Sequence, residues 1–138
     1  MNRLISMLDQ DDVRGVVRSI GGELRVFHNP GVRDLFELVA HEPHFLDGAV
    51  VADRVVGRGA AMLLALGRVE RVYAKVISSQ AYEVLHDADI KIDYGTMVNN
   101  IINRDGDDIC PVEKLTMTIS DPELAFVKIK EFLSNKTL

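Results

Sequence analysis

Residues 49–94, "AVVADRVVGRGAAMLLALGRVERVYAKVISSQAYEVLHDADIKIDY", determine the predicted fold because strand-like and helix-like patterns alternate along them. The apolar, β-branched runs at 48–53, 71–78 and 90–94 are typical of buried strands. Helical runs at 53–67, ended by Gly67, and at 80–88 separate them. Such alternation predicts parallel strands joined by crossover helices.

The flanking segments add a hairpin and two further helices. The stretches "RGVVRS" (14–19) and "ELRVFH" (23–28) flank a Gly-Gly pair that predicts an antiparallel hairpin with a two-residue turn. Helical spacing predicts one helix within 29–43, stopped by Pro43, and another over 120–133, where Ser120 and Glu123 form a capping box. We therefore predict an α/β fold for residues 1–138: a single three-layer α-β-α domain around one mixed sheet of about five strands that opens with the antiparallel hairpin.

Composition limits the functional classes. The chain has 138 residues, a net charge of −5 and one cysteine. The negative charge argues against a nucleic-acid partner, and no apolar run approaches the roughly 18 residues that span a membrane. The single cysteine and the absence of a secretory signal pattern at the start predict a cytoplasmic protein. A homodimer is left open, since homo-oligomers are common.

Polar residues are predicted at the ends of two neighbouring parallel strands, where ligands of open α/β sheets usually bind. Asp53 and Arg54 are expected at the first strand-to-helix turn, although Asp53 also suits a helix cap. Ser78 and Ser79 close the next strand, and Ser79 is expected to cap the following helix or to bind a ligand. These residues form the first part of the predicted site.

The segment "NRDGDDICPVEKL" (103–115) supplies the second part. Pro111 suits the first position of a helix, so Cys110 becomes the cap residue and Glu113 is expected to reach back to the Cys110 amide. The positive end of a helix favours a reactive thiol, whereas the nearby aspartates oppose it. The polar turn before Cys110 contributes three predicted ligand-binding residues, namely Asn103, Arg104 and Asp105.

Histidine spacing gives no reason to predict a metal site. Of the four histidines only His41 and His44 are close in sequence, and Pro43 between them disfavours a shared helical face. We predict neither a metal nor another cofactor.

Three motifs, "VADRVVGRGAAML", "VISSQAYEVL" and "INRDGDDICPVEK", together resemble an uncharacterised bacterial family of short proteins within the cytidine deaminase-like fold superfamily. Working members of that superfamily bind zinc through a His-x-Glu or Cys-x-Glu motif and a Pro-Cys-x-x-Cys motif. The resemblance places Val51, Ala52 and Asp53 at the first motif and 78–82 at the second, which implies that every zinc ligand is missing. It also implies a zinc-independent branch; other branches without that zinc carry out formyl transfer on a purine-biosynthetic nucleotide or assist sulfur transfer.

Three functional hypotheses follow. The leading one is a protein that binds a small polar, nucleotide-like ligand through the ligand-binding residues Arg54, Ser78, Ser79, Asn103, Arg104 and Asp105. The second is a group-transfer or hydrolytic enzyme with Cys110 as nucleophile and Asp53 or Glu113 as proton carrier. The third is a regulatory or interaction module that performs no chemistry.

Overall fold

Five strands and the helices that connect them are seen in the computed structural model, which describes residues 1–103 and 105–136. The strands are β1 (Gly15–Arg18), β2 (Leu24–Phe27), β3 (Val50–Val56), β4 (Arg71–Ser78) and β5 (Lys91–Val98). The helices are α1 (Asn2–Met7), α2 (Arg33–His41), α3 (Arg58–Gly67), α4 (Ser79–Asp87), α5 (Pro111–Thr116) and α6 (Pro122–Lys136), and a short 3-10 turn follows α2 at Pro43–Phe45.

The strands form one mixed sheet in the order β2-β1-β3-β4-β5. β1 is antiparallel to both β2 and β3, whereas β3, β4 and β5 run parallel. The predicted mixed α/β sheet that opens with a hairpin is therefore confirmed. The inner parallel strands bury apolar side chains such as Val51, Val72 and Ile77, as parallel strands covered by helices require.

The two faces of the sheet are covered unequally. Leu4 and Leu8, from α1 and its end, pack on one face against Val16 and Ala52 in a small separate cluster. The larger cluster on the other face takes buried side chains from α2, α3, α4 and α6. The N-terminal helix α1 is not among the sequence predictions, because its six residues are too few to show a clear period.

The opening hairpin has a longer loop than the Gly-Gly pair predicts. The Ser19 amide donates to the Glu23 carbonyl, which leaves Ile20, Gly21 and Gly22 as a three-residue loop. Gly22 has φ of +91°, the left-handed conformation that closes such loops. The prediction of a two-residue turn is thus wrong, whereas the predicted antiparallel pairing of the two strands is confirmed.

The boundary between β3 and α3 differs from the predicted one by several residues. The sequence predicts residues 53–56 as part of the helix. In the structure they continue β3, and Val55 and Val56 pair with Val76 and Ile77 of β4. The β-branched side chains favour the strand, and α3 begins only at Arg58, after Gly57.

Two helices begin with a different cap residue from the predicted one. Ser78, not Ser79, caps α4, since its Oγ accepts a hydrogen bond from the Ala81 amide at 3.1 Å. At α6 the predicted Ser120–Glu123 box is replaced by Asp121, whose Oδ1 accepts from the Glu123 amide at 3.0 Å. The other end of α3 is at Gly67, as predicted, and Arg68, with φ of +62°, takes the left-handed position after it.

Candidate functional site

The N-terminal ends of α3 and α4 lie side by side because β3 and β4 are parallel neighbours, and Val56, the last residue of β3, pairs with Ile77, one residue before the end of β4. Ser78 is the last residue of β4, and its side chain is fully buried. Its hydroxyl accepts from the Ala81 amide, so its hydrogen is available for a second partner. This edge of the sheet therefore presents hydrogen-bond donors at a buried point.

Glu113 of α5 occupies that point. Its side chain is 1% exposed, and its Oε1 accepts from the Ser78 hydroxyl at 2.5 Å and from the Arg58 amide at 3.0 Å. The Ile101 amide donates to the other oxygen, Oε2. Every contact brings a donor, so the group acts as an acceptor, as an ionised carboxylate does. Within residues 1–103 and 105–136, Glu113 forms no salt bridge. One hydroxyl and two backbone amides hold its carboxylate, and one of those amides, that of Arg58, belongs to the first turn of α3.

The loop before α5 is tied to the same point. The Cys110 amide donates to the Ile101 carbonyl at 2.7 Å, and Ile102 forms a bridge with Ile109. Cys110 caps α5 and Pro111 is its first residue, as predicted. The predicted bond from Glu113 back to the Cys110 amide is wrong, because the Ile101 carbonyl takes that amide and the carboxylate turns towards α3 and α4.

Close contact between α3 and α5 depends on Gly59, because a Cβ there would lie 2.3 Å from Val112 Cγ1. At Gly57 a Cβ would lie 3.2 Å from Ile101 Cγ1 and 3.4 Å from Glu113 Oε1, which makes a tight fit against the loop before α5. The Arg58 side chain closes the far end of α5, where Nε donates to the Thr116 carbonyl at 2.7 Å and Nη2 to the Ile119 carbonyl at 2.6 Å. The "GRG" sequence at 57–59 thus positions Glu113.

A half-buried polar rim lies beside this buried carboxylate. The Ser79 hydroxyl donates to the Asn99 carbonyl at 3.4 Å, and the Gln80 side-chain amide donates to Asn100 Oδ1 at 2.9 Å. Ser79 was predicted from sequence, whereas Gln80, Asn99 and Asn100 were missed. Residues 99 and 100 follow the strand predicted as 90–94, which extends to Val98 in the structure.

The predicted residues of the polar turn do not reach the buried carboxylate through any observed contact. Asn103 closes its own turn, because its side-chain Nδ2 donates to Asp107 Oδ1 at 2.9 Å and its Oδ1 accepts from the backbone amide of Asp107 at 3.2 Å. Asp105 is exposed. Arg104 lies outside the residues that the structure describes.

Asp53 and Arg54 lie within β3 and not at the strand-to-helix turn, so their predicted position is wrong. Arg54 donates from Nε and Nη2 to the carbonyls of Val13, Leu8 and Gln10, which fastens α1 to the sheet. Asp53 is half-buried, and burial raises its pKa to about 7, although the amides of Val55 and Arg54 favour the charged form.

The raised pKa of Asp53 predicts a pH-dependent stability. An aspartate in an unfolded chain has a pKa of about 3.9, so between about pH 4 and pH 7 the folded chain holds a proton that the unfolded chain has lost. The free energy of unfolding therefore falls as the pH rises through that window, by about 2 kcal/mol after allowance for partial solvent access. Asp53→Asn should remove this dependence.

Urea unfolding at pH 4.5 and pH 8 measures the effect, with the exposed Asp105→Asn as the matched control. We expect Asp53→Asn to gain stability relative to wild type on going to pH 8, and Asp105→Asn to follow wild type. Equal pH dependence in wild type and Asp53→Asn would contradict the assignment.

The zinc that working members of the cytidine deaminase-like superfamily bind does not fit the residues present here. In residues 1–103 and 105–136, no three His, Cys, Asp or Glu side chains gather in a way that could hold a metal ion. The first turns of α3 and α4 contain Gly, Arg, Ser and Gln, which are poor zinc ligands.

Two shallow cavities lie away from Glu113. The larger, about 370 Å³, lies between α3, α4 and the start of α6, with Arg58, Met62, Glu83 and Asp87 among its lining residues. The smaller, about 320 Å³, is lined by residues of α4 alone, namely Tyr82, Glu83, His86 and Asp87. Neither cavity is lined by Ser78, Cys110 or Glu113, so neither one opens onto the buried carboxylate.

Fold and site together define a mixed α/β protein in which a glutamate of α5 accepts three hydrogen bonds at a buried position beside the ends of two parallel strands. The family described as a domain of unknown function (DUF1893) matches residues 3–133, and the chain belongs to that family. A crystal structure of a DUF1893 family protein (TM1506) from Thermotoga maritima is similar, with a TM-score of 0.85 and 25% sequence identity over 94% of this chain and 87% of that one.

These comparisons confirm the predicted membership in a family of unknown function and the mixed α/β fold. No curated protein matches the chain. No helix in the described part of the chain is long and apolar enough to cross a membrane.

Proposed function

We propose that this protein is a zinc-free member of the cytidine deaminase-like fold that binds a small anionic ligand at the carboxyl edge of β3 and β4, in exchange with the Glu113 side chain. The observation that carries the proposal is the convergence of three donors on one carboxylate. The Ser78 hydroxyl and the Arg58 and Ile101 amides all point at one buried position.

The donor set indicates the charge of the ligand. The guanidinium of Arg58 is turned towards the carbonyls of Thr116 and Ile119 and does not serve the site. Neutral donors and a helix N-terminus, which carries about half a positive charge, stabilise a small anion. A carboxylate or a phosphate therefore suits the position.

The half-buried rim indicates what the rest of the ligand would meet. Ser79, Gln80 and Asn100 offer hydroxyl and amide groups that match the polar edges of a base or sugar. A nucleotide-like ligand with its anionic group in place of Glu113 fits this arrangement, and it preserves the predicted roles of Ser78 and Ser79. Arg54 is not part of the proposed site, because backbone carbonyls engage its guanidinium.

The cysteine-dependent enzyme has less support. It needs Asp53 or Glu113 as the proton carrier for Cys110, yet Glu113 bonds to Ser78, Arg58 and Ile101, and Asp53 lies within β3. The interaction module without a ligand makes Glu113 a permanent structural group, and the experiment below separates it from the proposal.

Thermal unfolding with inorganic phosphate, 5′-nucleotides, acetate and zinc tests the proposed function. A ligand at about 100 times its dissociation constant stabilises the folded state by about 2.7 kcal/mol, which raises Tm by several degrees. We expect a nucleotide to raise the Tm of wild type and of Asp53→Asn, and to act at lower concentration on Glu113→Ala, which lacks the internal competitor.

The response should be weak in Ser78→Ala, which loses one of the three donors. A Tm that no anion changes in wild type would favour the interaction module. A response to zinc alone would contradict the zinc-free assignment.

A further inference from the structure

The outer edge of β5 is open along its whole length in the part of the chain that the structure describes. β5 has eight residues and pairs on one side only, with β4. All of its residues except Ile92 and Val98 are exposed. A strand edge of this length presents a row of backbone donors and acceptors that another strand can complete.

This edge lacks the features that usually prevent strand pairing. β5 contains no proline, and its only charges, Lys91 and Asp93, lie at its beginning. The second half, "TMV", is uncharged, and Met97 is 38% exposed. The opposite edge of the sheet, β2, has only four residues and carries Arg25, which is ion-paired with Glu42 at 2.7 Å.

An aromatic cluster beside β5 is covered on one side only. Tyr94 of β5 meets Tyr82 of α4 edge to face at 6.0 Å, and Tyr82 stacks on His86 at 6.2 Å. Tyr94 is nevertheless 44% exposed. The contact between Tyr82 and Tyr94 places the aromatic residues of α4 beside β5.

We propose that β5 pairs antiparallel with β5 of a second copy of this chain, which joins the two sheets into one of ten strands. A two-fold axis perpendicular to the sheet allows the same strand to serve both copies, as an isologous interface requires. The sequence is compatible with itself in the two central registers. Centred on Tyr94, Asp93 faces Gly95 and Lys91 faces Met97; centred on Gly95, Asp93 faces Met97.

Neither register places like charges opposite each other, and both bring the exposed sides of the two Tyr94 clusters together. A second copy therefore supplies the backbone hydrogen bonds and the apolar cover that a single chain lacks at this edge. This inference does not rest on the proposed anion site, because none of the three groups that bond to Glu113 belongs to β5.

Light scattering coupled to size exclusion tests the proposal on the full chain. We expect wild type to elute at twice the chain mass of 15.3 kDa. Met97→Lys places a charge in the pairing edge and should give a monomer with an unchanged circular dichroism spectrum. The matched control is Val127→Lys on α6, where an equally accessible apolar residue is replaced, and it should remain a dimer.

Hydrogen exchange of wild type provides a measurement that needs no variant. Amides in 94–98 should exchange faster on dilution, as the dimer dissociates, while those of β4 stay protected. A monomer at every concentration, a dimer that persists in Met97→Lys, or exchange in 94–98 that does not depend on concentration would each overturn the proposal.

Discussion

Replacing Glu113 with alanine should lower the free energy of unfolding by about 3–5 kcal/mol, because three donors in a buried position lose their common acceptor. The Ser78 hydroxyl and the amides of Arg58 and Ile101 have no alternative acceptor in the observed contacts. The loss also releases the loop at 99–110 from the ends of α3 and α4. A fall in Tm of about 10 °C or more is expected for a chain of this size.

Urea and thermal unfolding measure this loss, with Glu83→Ala as the matched control. Glu83 is a helical glutamate that is exposed on α4, and its removal should change stability by less than about 0.5 kcal/mol. A Glu113→Ala protein as stable as Glu83→Ala would show that the carboxylate does not hold the site together.

Gly59→Ala should lower stability by about 1–3 kcal/mol, although alanine normally favours a helix over glycine by about 1 kcal/mol. The added methyl would lie 2.3 Å from Val112 Cγ1, and Ile129 Cδ1 follows at 3.5 Å. Since Val112 belongs to α5, the collision moves α5 away from α3. Glu113, the next residue, moves with it, so the substitution should disturb the site as well as the packing.

The collision can be tested by removing its other partner. Val112→Ala deletes the methyl group that collides, so the double variant Gly59→Ala/Val112→Ala should be more stable than the sum of the single losses predicts. Urea unfolding of the four proteins in this cycle gives the coupling free energy. Strictly additive losses would mean that α5 does not pack on Gly59 in the observed way.

The regular parts of the fold were predictable because their signals are local. The strand at 71–78 agrees with β4 at both ends, since its β-branched residues are bounded by a helix cap. The boundary at 53–57 was not predictable in the same way, because strand pairing with β4 outweighs the helical spacing that continues from α3. The cap of α6 is Asp121 and not the predicted Ser120. Both residue types suit the cap position, and only the exact start of the helix decides between them.

The site shows a sharper division between local and distant information. Pro111 after Cys110 predicts the start of α5, and the structure agrees. The partner of Glu113 could not be found by the same reasoning, because Ser78 and Arg58 lie 35 and 55 residues away. A capping box is the expected use of a glutamate three positions into a helix, and only the tertiary contact of α5 with α3 redirects it. Arg54 was likewise predicted as a ligand-binding residue, because the sequence does not reveal that its guanidinium donates to the Leu8 carbonyl at the end of α1.

Acetate rescue of Glu113→Ala tests most directly whether this buried position is an anion site. Alanine at 113 removes a fragment with the size and charge of acetate, so the ion can restore all three hydrogen bonds. We predict that acetate raises the Tm of Glu113→Ala in a saturable way, that neutral acetamide does so far less, and that wild type and Glu83→Ala respond to neither. Equal and unsaturable responses of all three proteins to acetate would contradict the account.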